Sequence, residues 1–290
     1  MKVKLRKAVG GVCLLASVVL LDGSIVTHSN TGGTLNFQSH YVAQAFDKAR
    51  FKAELTKVLQ SEEMVSNALQ EFNLPAPHYD VYRDHMEKLW GNDLVVKAIV
   101  DEVTAIIPAM NLDNRNDARE FGMHYSAAWF QEKAMKGILR LDSDKIRIHL
   151  KVAQGLFENS PPALCRAAVF DELTAPESAR LEIGYLVTRP PSEVRSYLGT
   201  LRESMIAELS DYPSVKTVGP SQRQILDQVM GQRLADALDA HPNGEEMWVG
   251  LDNLNAMSDQ ALCDLTAITM KIAADEPGEV GDWMVRYMLQ

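Results

Sequence analysis

The amino-acid sequence predicts an all-α protein, a multi-helix, bundle-like globular domain behind an N-terminal signal or anchor segment and a flexible tether. Apolar residues recur every three or four positions through most of the chain, which is the spacing of one helix face. Strict alternation of apolar and polar residues, which marks a half-buried strand, is nearly absent. The one Asn-Gly pair, Asn243-Gly244, lacks the strand-like flanks of a hairpin.

The N-terminus carries the pattern of an export signal. A basic stretch opens the chain and consists of Lys2, Lys4, Arg6 and Lys7. The apolar run 8–21 follows directly, and basic residues before such a run stay on the cytoplasmic side of a membrane. The sequence therefore predicts a signal peptide or an uncleaved membrane anchor at 1–27. The rest of the chain is expected in the periplasm or held on the periplasmic face of the inner membrane.

Both fates of this segment stay open. Signal cleavage needs small residues at two flanking positions, and Leu21-Asp22-Gly23 supplies only one of them. If the apolar segment is extended to Val26, it has roughly 19 residues, close to the roughly 20 that a membrane-spanning helix needs. The charged Asp22 makes it a poorer membrane-spanning segment. The polar stretch 28–38, with Gly32-Gly33 inside it, predicts a flexible tether.

The net negative charge of the chain limits the kinds of molecule that it could bind. The chain carries a formal net charge of −10, and removing four basic residues and Asp22 with the N-terminal segment leaves 25 basic against 38 acidic residues. Nucleic acid does not fit such a surface, because phosphate binding needs clustered Lys and Arg, and no basic run follows residue 7. Anionic lipid repels it as well, so we expect membrane contact only through the N-terminal segment.

Two cysteines, Cys165 and Cys263, remain outside the N-terminal segment, and an oxidising compartment would let them form a disulfide. Their bond would close a loop of about 100 residues, which chain-entropy models value at up to roughly 4.7 kcal/mol. The alternative is two buried helix thiols, since spacing alone does not bring two Cα atoms within bonding distance.

Capping signals and amphipathic faces mark several helices. Ser160 before two prolines, Thr174 with Glu177, and Ser221 with Gln224 each predict a helix start. Two long helices should bury one face each, the first through Val194, Leu198, Leu201, Met205 and Leu209 and the second through Ile225, Val229, Leu234 and Leu238.

The helical part is expected to form one domain over 39–290. Residues 95–107 are apolar around most of a helix circumference and are predicted to lie at the centre of its core. A sub-boundary is predicted at 211–220, where Pro213, Gly219 and Pro220 separate two long helices.

The segment 78–87 has the composition of a metal site, but its spacing argues against one. On a helix, His78 and His85 would lie roughly 10.5 Å apart along the axis, too far for both to reach one ion. Its charged residues fit ordinary surface pairs, Arg83 with Glu87 and Asp84 with Lys88. No metal site is therefore predicted.

The most polar stretch of the helical part, 111–120, is the first candidate for a binding surface. A calcium loop would need an oxygen ligand at Arg115 and a glycine at Ala118. Its residues either cap and solubilise the following helix or bind a partner through paired charges. The candidate binding residues are Asp113, Asn114, Arg115, Asn116, Asp117 and Arg119.

No template for catalysis matches the chain. Gly-x-Ser-x-Gly, His-Glu-x-x-His and a phosphate loop in the helical part are all missing. The catalytic residues are unknown, no cofactor is expected, and a non-enzymatic role is favoured without excluding an enzyme. His124 and His149 lie among apolar residues and are expected in or beside the core. Trp283, Met284, Tyr287 and Met288 indicate a docked last helix or an adaptable partner surface.

The sequence therefore predicts an exported envelope protein that acts by binding another protein, as inhibitors, toxin-immunity proteins, chaperones and assembly factors do. Its acidic body would suit a basic partner. Two other functions stay open, namely an envelope hydrolase with dispersed carboxylates and a helical carrier of an apolar ligand. The oligomeric state does not follow from the sequence.

Overall fold

The computed structural model describes residues 48–70, 72–106 and 115–290. In these ranges it has thirteen α-helices and no strand, so the predicted all-α, multi-helix globular fold is confirmed. The predicted signal or anchor at 1–27 and the tether at 28–38 lie outside them. The helices are α1 (Lys48–Leu59), α2 (Glu62–Gln70), α3 (Ala76–Trp90), α4 (Asp93–Ile106), α5 (Arg115–Ile138), α6 (Ser143–Asn159), α7 (Pro162–Val169), α8 (Ala175–Leu186), α9 (Pro191–Leu209), α10 (Pro220–Asp239), α11 (Gly244–Gly250), α12 (Asp259–Asp275) and α13 (Gly278–Leu289).

Two hydrophobic clusters form the core. The first is built from α1 to α5 with α8 and α9, and the second from α6, α7 and α10 to α13. The most extensive helix contacts are those of α5 with α9 and of α6 with α12. Met135 and Tyr185 pack against both clusters, and α6 also contacts α9. Across the described ranges, no helix combines the length and apolarity that crossing a membrane requires.

Residues 95–106, on α4, lie in the first cluster as predicted, but α9 rather than α4 contacts the most helices there. α4 buries one face, with Val95, Ile99 and Thr104 almost fully covered, while Leu94 is 37 % exposed. α9 contacts α3, α4, α5 and α6, so more of its circumference is covered. A run of β-branched residues indicates an apolar helix, but the number of helices around it depends on the tertiary fold.

Helix starts agree with the capping signals in part. The box of Thr174 and Glu177 is confirmed, because the Glu177 carboxylate accepts the Thr174 N–H at 2.8 Å. Ser160 does not cap α7, since its hydroxyl donates to the Leu156 carbonyl at 2.6 Å and Pro161 occupies the N-cap. Proline has the backbone angle that a first helical turn needs.

The predicted start and face of α10 are corrected by the structure. The N-cap is Gly219, whose N–H donates to the Gln222 side chain at 2.7 Å, so the predicted box beginning at Ser221 is wrong. Ile225 is 43 % exposed, and Leu226, which is fully buried, takes its place on the inner face. One residue turns a helix by about 100°, so neighbouring apolar residues cannot share a narrow face.

The predicted sub-boundary 211–220 lies against the turn between α5 and α6. Arg140 of that turn donates to the Asp211 carboxylate at 2.6 Å and to the Pro213 carbonyl at 2.9 Å. The Lys216 N–H donates to the Leu139 carbonyl at 3.3 Å. These contacts hold the segment to the body, and a domain division there stays a prediction.

The last helix is docked on the second cluster. Met284 is fully buried, and Tyr287 and Met288 are buried to more than nine-tenths. Of the two interpretations of the C-terminal aromatic and methionine residues, docking is confirmed. α13 contacts α6, α10 and α12, so the C-terminus closes the second cluster.

The predicted disulfide between Cys165 and Cys263 is confirmed. It joins α7 to α12 across a sequence separation of 98, with the two Cα atoms 5.9 Å apart. Both residues are buried in the second cluster. The bond therefore fixes a short helix to the long helix that forms the centre of that cluster.

We expect Cys165→Ser and Cys263→Ser to lower the free energy of unfolding by about 2–5 kcal/mol, because the unfolded chain is no longer restricted by the bond. Urea unfolding measures the change. The double variant should lose no more free energy of unfolding than either single variant does. The natural chain in the presence of reductant should have the same stability as the double variant. Equal stability of the natural chain with and without reductant would contradict the prediction.

Candidate functional site

The predicted binding surface at 113–119 is only partly described. Asp113 and Asn114 lie outside the described residues. Arg115, Asn116, Asp117 and Arg119 lie at the start of α5, and their side chains are likewise outside the described part. Whether this cluster caps the helix or binds a partner stays a prediction.

The histidine and carboxylate segment lies on α3 and divides into two faces. On the outer face, Lys88 pairs with Asp84 at 2.7 Å and Arg83 approaches Glu87 at 3.8 Å, which confirms the predicted surface pairs. His78 and His85 turn to the core instead. Among the residues that the structure describes, no group of three or more His, Cys, Asp or Glu could hold a metal ion.

A carboxylate that the sequence analysis missed is fully buried inside the molecule. Glu182 lies on the inner face of α8 with Ala179, Ile183 and Leu186, all buried. Burial first, and the Glu182 charge second, raise the pKa of Tyr82 well above its usual range. The spacing of 179, 182, 183 and 186 is that of one helix face, and this signal could have placed the glutamate among apolar neighbours.

Buried imidazoles accompany this carboxylate. His149 is fully buried and stacks on Tyr197 with ring centroids 6.0 Å apart, so its predicted core position is confirmed. The His124 side chain is outside the described part. Burial, helped by the charge of Arg202, lowers the pKa of His85 to about 3, so its ring is neutral at physiological pH.

A polar cleft of about 440 Å³ lies between the turn after α5, the segment before α10, and α13. Lys216 pairs with Asp142 on its wall at 3.0 Å. Arg286 lines it and donates to the Leu139 and Leu141 carbonyls at 3.1 and 2.8 Å. Arg286 thus holds α13 to the α5–α6 turn, and Lys216 holds the segment before α10 to it. Glu182 and His85 are not among the residues that line the cleft.

The short helix α11 is packed tightly between its neighbours α10 and α12. Its inner residues Gly244, Met247 and Gly250 are buried. A Cβ atom on Gly244 would lie 1.8 Å from the Leu238 carbonyl oxygen, and one on Gly250 would lie 2.3 Å from the Met257 side chain. Glycine is therefore required at Gly244, where the obstacle is backbone, while at Gly250 the Met257 side chain would have to move.

Polar contacts fix the N-terminal half of α11 to α12. The Glu246 carboxylate accepts the backbone N–H and the hydroxyl of Ser258 at 2.6 and 3.1 Å, which ties α11 to the N-cap of α12. The Asn243 side chain donates to Asp264 of α12 at 3.1 Å. α11 is thus held by hydrogen bonds as well as by apolar packing.

The segment between α11 and α12 is held from the side by α7. Arg166, next to the disulfide residue Cys165, donates to the Met257 and Asn255 carbonyls, each at 3.0 Å. The same guanidinium pairs with Asp259 at 3.3 Å. The disulfide and this arginine therefore fix the base on which α11 lies.

The outer face of α11 is exposed and carries an apolar pair between two acids. Trp248 is 41 % exposed and Val249 is 78 % exposed. Glu245 and Asp252 are exposed on either side of them. Positions 245, 248, 249 and 252 follow the spacing of one helix face, and Leu251 keeps helical backbone angles after α11 ends. We call these four residues the α11 face.

The α11 face lies in an acidic part of the sequence. Residues 234–270 contain seven Asp or Glu and no Lys or Arg. Asp239 accepts the indole N–H of Trp248 at 3.1 Å, which places a further exposed carboxylate beside the apolar pair. Within the described ranges, no salt bridge involves Glu245, Asp252 or Asp239. The face is therefore apolar at its centre and uncompensated in charge at its border.

Sequence analysis missed the α11 face. Met247, Leu251 and Leu254 account for the inward side of the segment at helical spacing, which leaves Trp248 and Val249 pointing the other way. The two large apolar residues on the outward side could therefore have predicted an exposed apolar surface. Comparison with protein-family models, curated proteins and solved structures found no match to the chain.

We expect acid to destabilise the protein partly through His85. Its pKa is lower in the folded state than in the unfolded state, so unfolding takes up a proton below about pH 6.5, and stability falls towards pH 3. The slope from this one group approaches about 1.4 kcal/mol per pH unit. Chemical unfolding of His85→Leu between pH 7 and pH 4 should show a slope smaller by that amount, and an unchanged slope would contradict the assignment.

Gly244→Ala should displace α11 and lower the free energy of unfolding by about 1–3 kcal/mol, because its methyl group would overlap the Leu238 carbonyl. Gly231→Ala in α10 is the matched control, since a Cβ there meets nothing within 4 Å. That change should leave stability equal or raise it by up to about 1 kcal/mol. Thermal unfolding compares the two, and equal effects would refute the close approach.

Proposed function

We propose that the protein works outside the reducing cytosol by binding another protein through the α11 face, without catalysing a reaction. The observation that carries the proposal is the exposure of Trp248 and Val249 on a helix that is fixed by packing and hydrogen bonds. Binding sites in proteins are commonly centred on such an aromatic anchor. Burying Val249, which is 78 % exposed, would contribute up to about 1.5–3 kcal/mol, and Trp248 would add the burial of the 41 % of its surface that is exposed.

The rigid base of the α11 face supports this function. A helix that is already ordered loses little conformational freedom on binding, so more of the contact free energy becomes affinity. The glycine contacts and the Glu246 cap provide that order before a partner arrives. A surface of this kind suits an inhibitor, immunity protein or assembly factor, each of which acts by contact alone.

The disulfide supports the proposed compartment. Disulfides persist in oxidising environments and are rare in the cytosol. The Cys165–Cys263 bond agrees with the export signal predicted from the N-terminal sequence, and the two features are independent. We therefore propose the periplasm, or the periplasmic face of the inner membrane, as the place where the protein binds its partner.

Site-specific photocrosslinking tests the proposed function. Val249 is replaced by p-benzoylphenylalanine in the full chain, in the cells that produce it, and Leu94, which is exposed on α4, receives the same group as a control. We expect a discrete adduct with another protein from position 249 and none from position 94. The adduct is then identified by mass spectrometry.

The identified protein is purified and its affinity for the chain is measured directly. Val249→Lys should weaken binding at least tenfold, which is about 1.4 kcal/mol, because an ammonium group replaces the most exposed apolar side chain of the face. Leu94→Lys should bind as the natural chain does. The proposal fails if no adduct forms at 249, or if both variants bind alike.

A further inference from the structure

The spacing of the α11 face defines what can lie against it. Glu245 lies in the first turn of α11, and Asp252 lies in the turn that follows Leu251, which keeps helical backbone angles after α11 ends at Gly250. Trp248 and Val249 lie between these two acids, and seven residues of a helix rise roughly 10.5 Å. A second helix presents residues i and i+7 with the same rise. Two cations at these positions would meet the two acids while residues i+3 and i+4 meet the apolar pair.

From this match we propose that the partner of the α11 face is an α-helix with Lys or Arg at positions i and i+7 and apolar residues at i+3 and i+4. This rests on the proposed function, because it names the chemistry of the partner that binds there. The interaction is a helix-to-helix contact with apolar residues at its centre and ion pairs at both ends.

The acids of the region divide into those used by the framework and those available to a partner. Glu246 accepts hydrogen bonds from Ser258, and Asp264 accepts one from Asn243. Asp259 forms a salt bridge with Arg166. Glu245 and Asp252 make no such contact in the described part of the chain. The two acids that the framework does not use are the two that flank Trp248 and Val249 on the α11 face.

Charge decides between a basic helix and other occupants. Phosphates of nucleic acid or lipid would be repelled by the surrounding carboxylates. A second copy docked through its own α11 face would place acids against acids, which costs free energy at an interface. A cationic helix instead gains from every carboxylate at the border, including Asp239 beside the indole.

A designed peptide tests the pattern even while the partner is unidentified. The probe is a synthetic amphipathic helix with Lys at i and i+7 and Leu at i+3 and i+4, repeated once. One matched peptide carries Glu for every Lys, and another has the same composition in scrambled order. Acrylamide quenching of Trp248 fluorescence in the full chain reports binding, since Trp90 and Trp129 are buried and Trp283 is partly buried. Trp248→Phe verifies the source of the signal.

We expect the patterned peptide to protect Trp248 and the two matched peptides to give no protection. Glu245→Lys with Asp252→Lys should weaken binding of the patterned peptide at least tenfold. Glu62→Lys with Asp93→Lys changes the net charge equally on α2 and α4, and should bind the peptide as the natural chain does.

Three results would overturn the proposal, namely equal binding of the scrambled peptide, equal binding by the Glu245→Lys and Asp252→Lys variant, or equal weakening by the control variant. Crosslinking at position 249 is a separate readout. If a protein adduct still forms when Glu245 and Asp252 are both replaced by Lys, the proposed function stands, but the proposal of a basic partner helix is contradicted. An adduct with a second copy of the chain contradicts it as well.

Discussion

The bond between Cys165 and Cys263 is the constraint on which the second half of the molecule depends. It fixes α7 to α12, and Arg166, the residue after Cys165, then reaches the backbone that leads from α11 to α12. α11 has seven residues, too few to remain helical alone in water. Its order therefore comes from neighbours that the disulfide and the arginine hold in register.

The orientation of the exposed α11 face depends on close contacts on the buried side of the helix. Gly244 and Gly250 bring the inner side of α11 against the Leu238 carbonyl and Met257, so the outer side faces solvent in one fixed orientation. A close contact of the same kind joins α5 to α9, where a Cβ on Gly137 would lie 1.8 Å from the Ser204 carbonyl oxygen. Glycine at helix contacts thus sets both the main packing of the fold and the presentation of the α11 face.

Sequence reasoning predicted most of the architecture, because helical spacing and capping are local properties. The box of Thr174 with Glu177 depends on four consecutive residues and is present as predicted. Ile225 and Leu226 show the limit, since both are apolar and only the neighbouring helices decide which one is buried. The burial of Glu182 likewise depends on helices far away in sequence, although its spacing among apolar residues was readable.

The candidate site was harder to predict than the fold for a related reason. Trp90 and Trp129 are buried and Trp248 is exposed, yet all three are simply tryptophans at helical spacing in the sequence. A tryptophan can anchor a partner only if no neighbouring helix covers it. Whether Trp248 is covered depends on how α10, α11 and α12 pack. The charge asymmetry of 234–270, in contrast, was visible in the sequence. Arg166 compensates Asp259 of this region, whereas Glu245, Asp252 and Asp239 make no salt bridge within the described ranges. The fold therefore tolerates at the α11 face a repulsion that a basic partner would relieve.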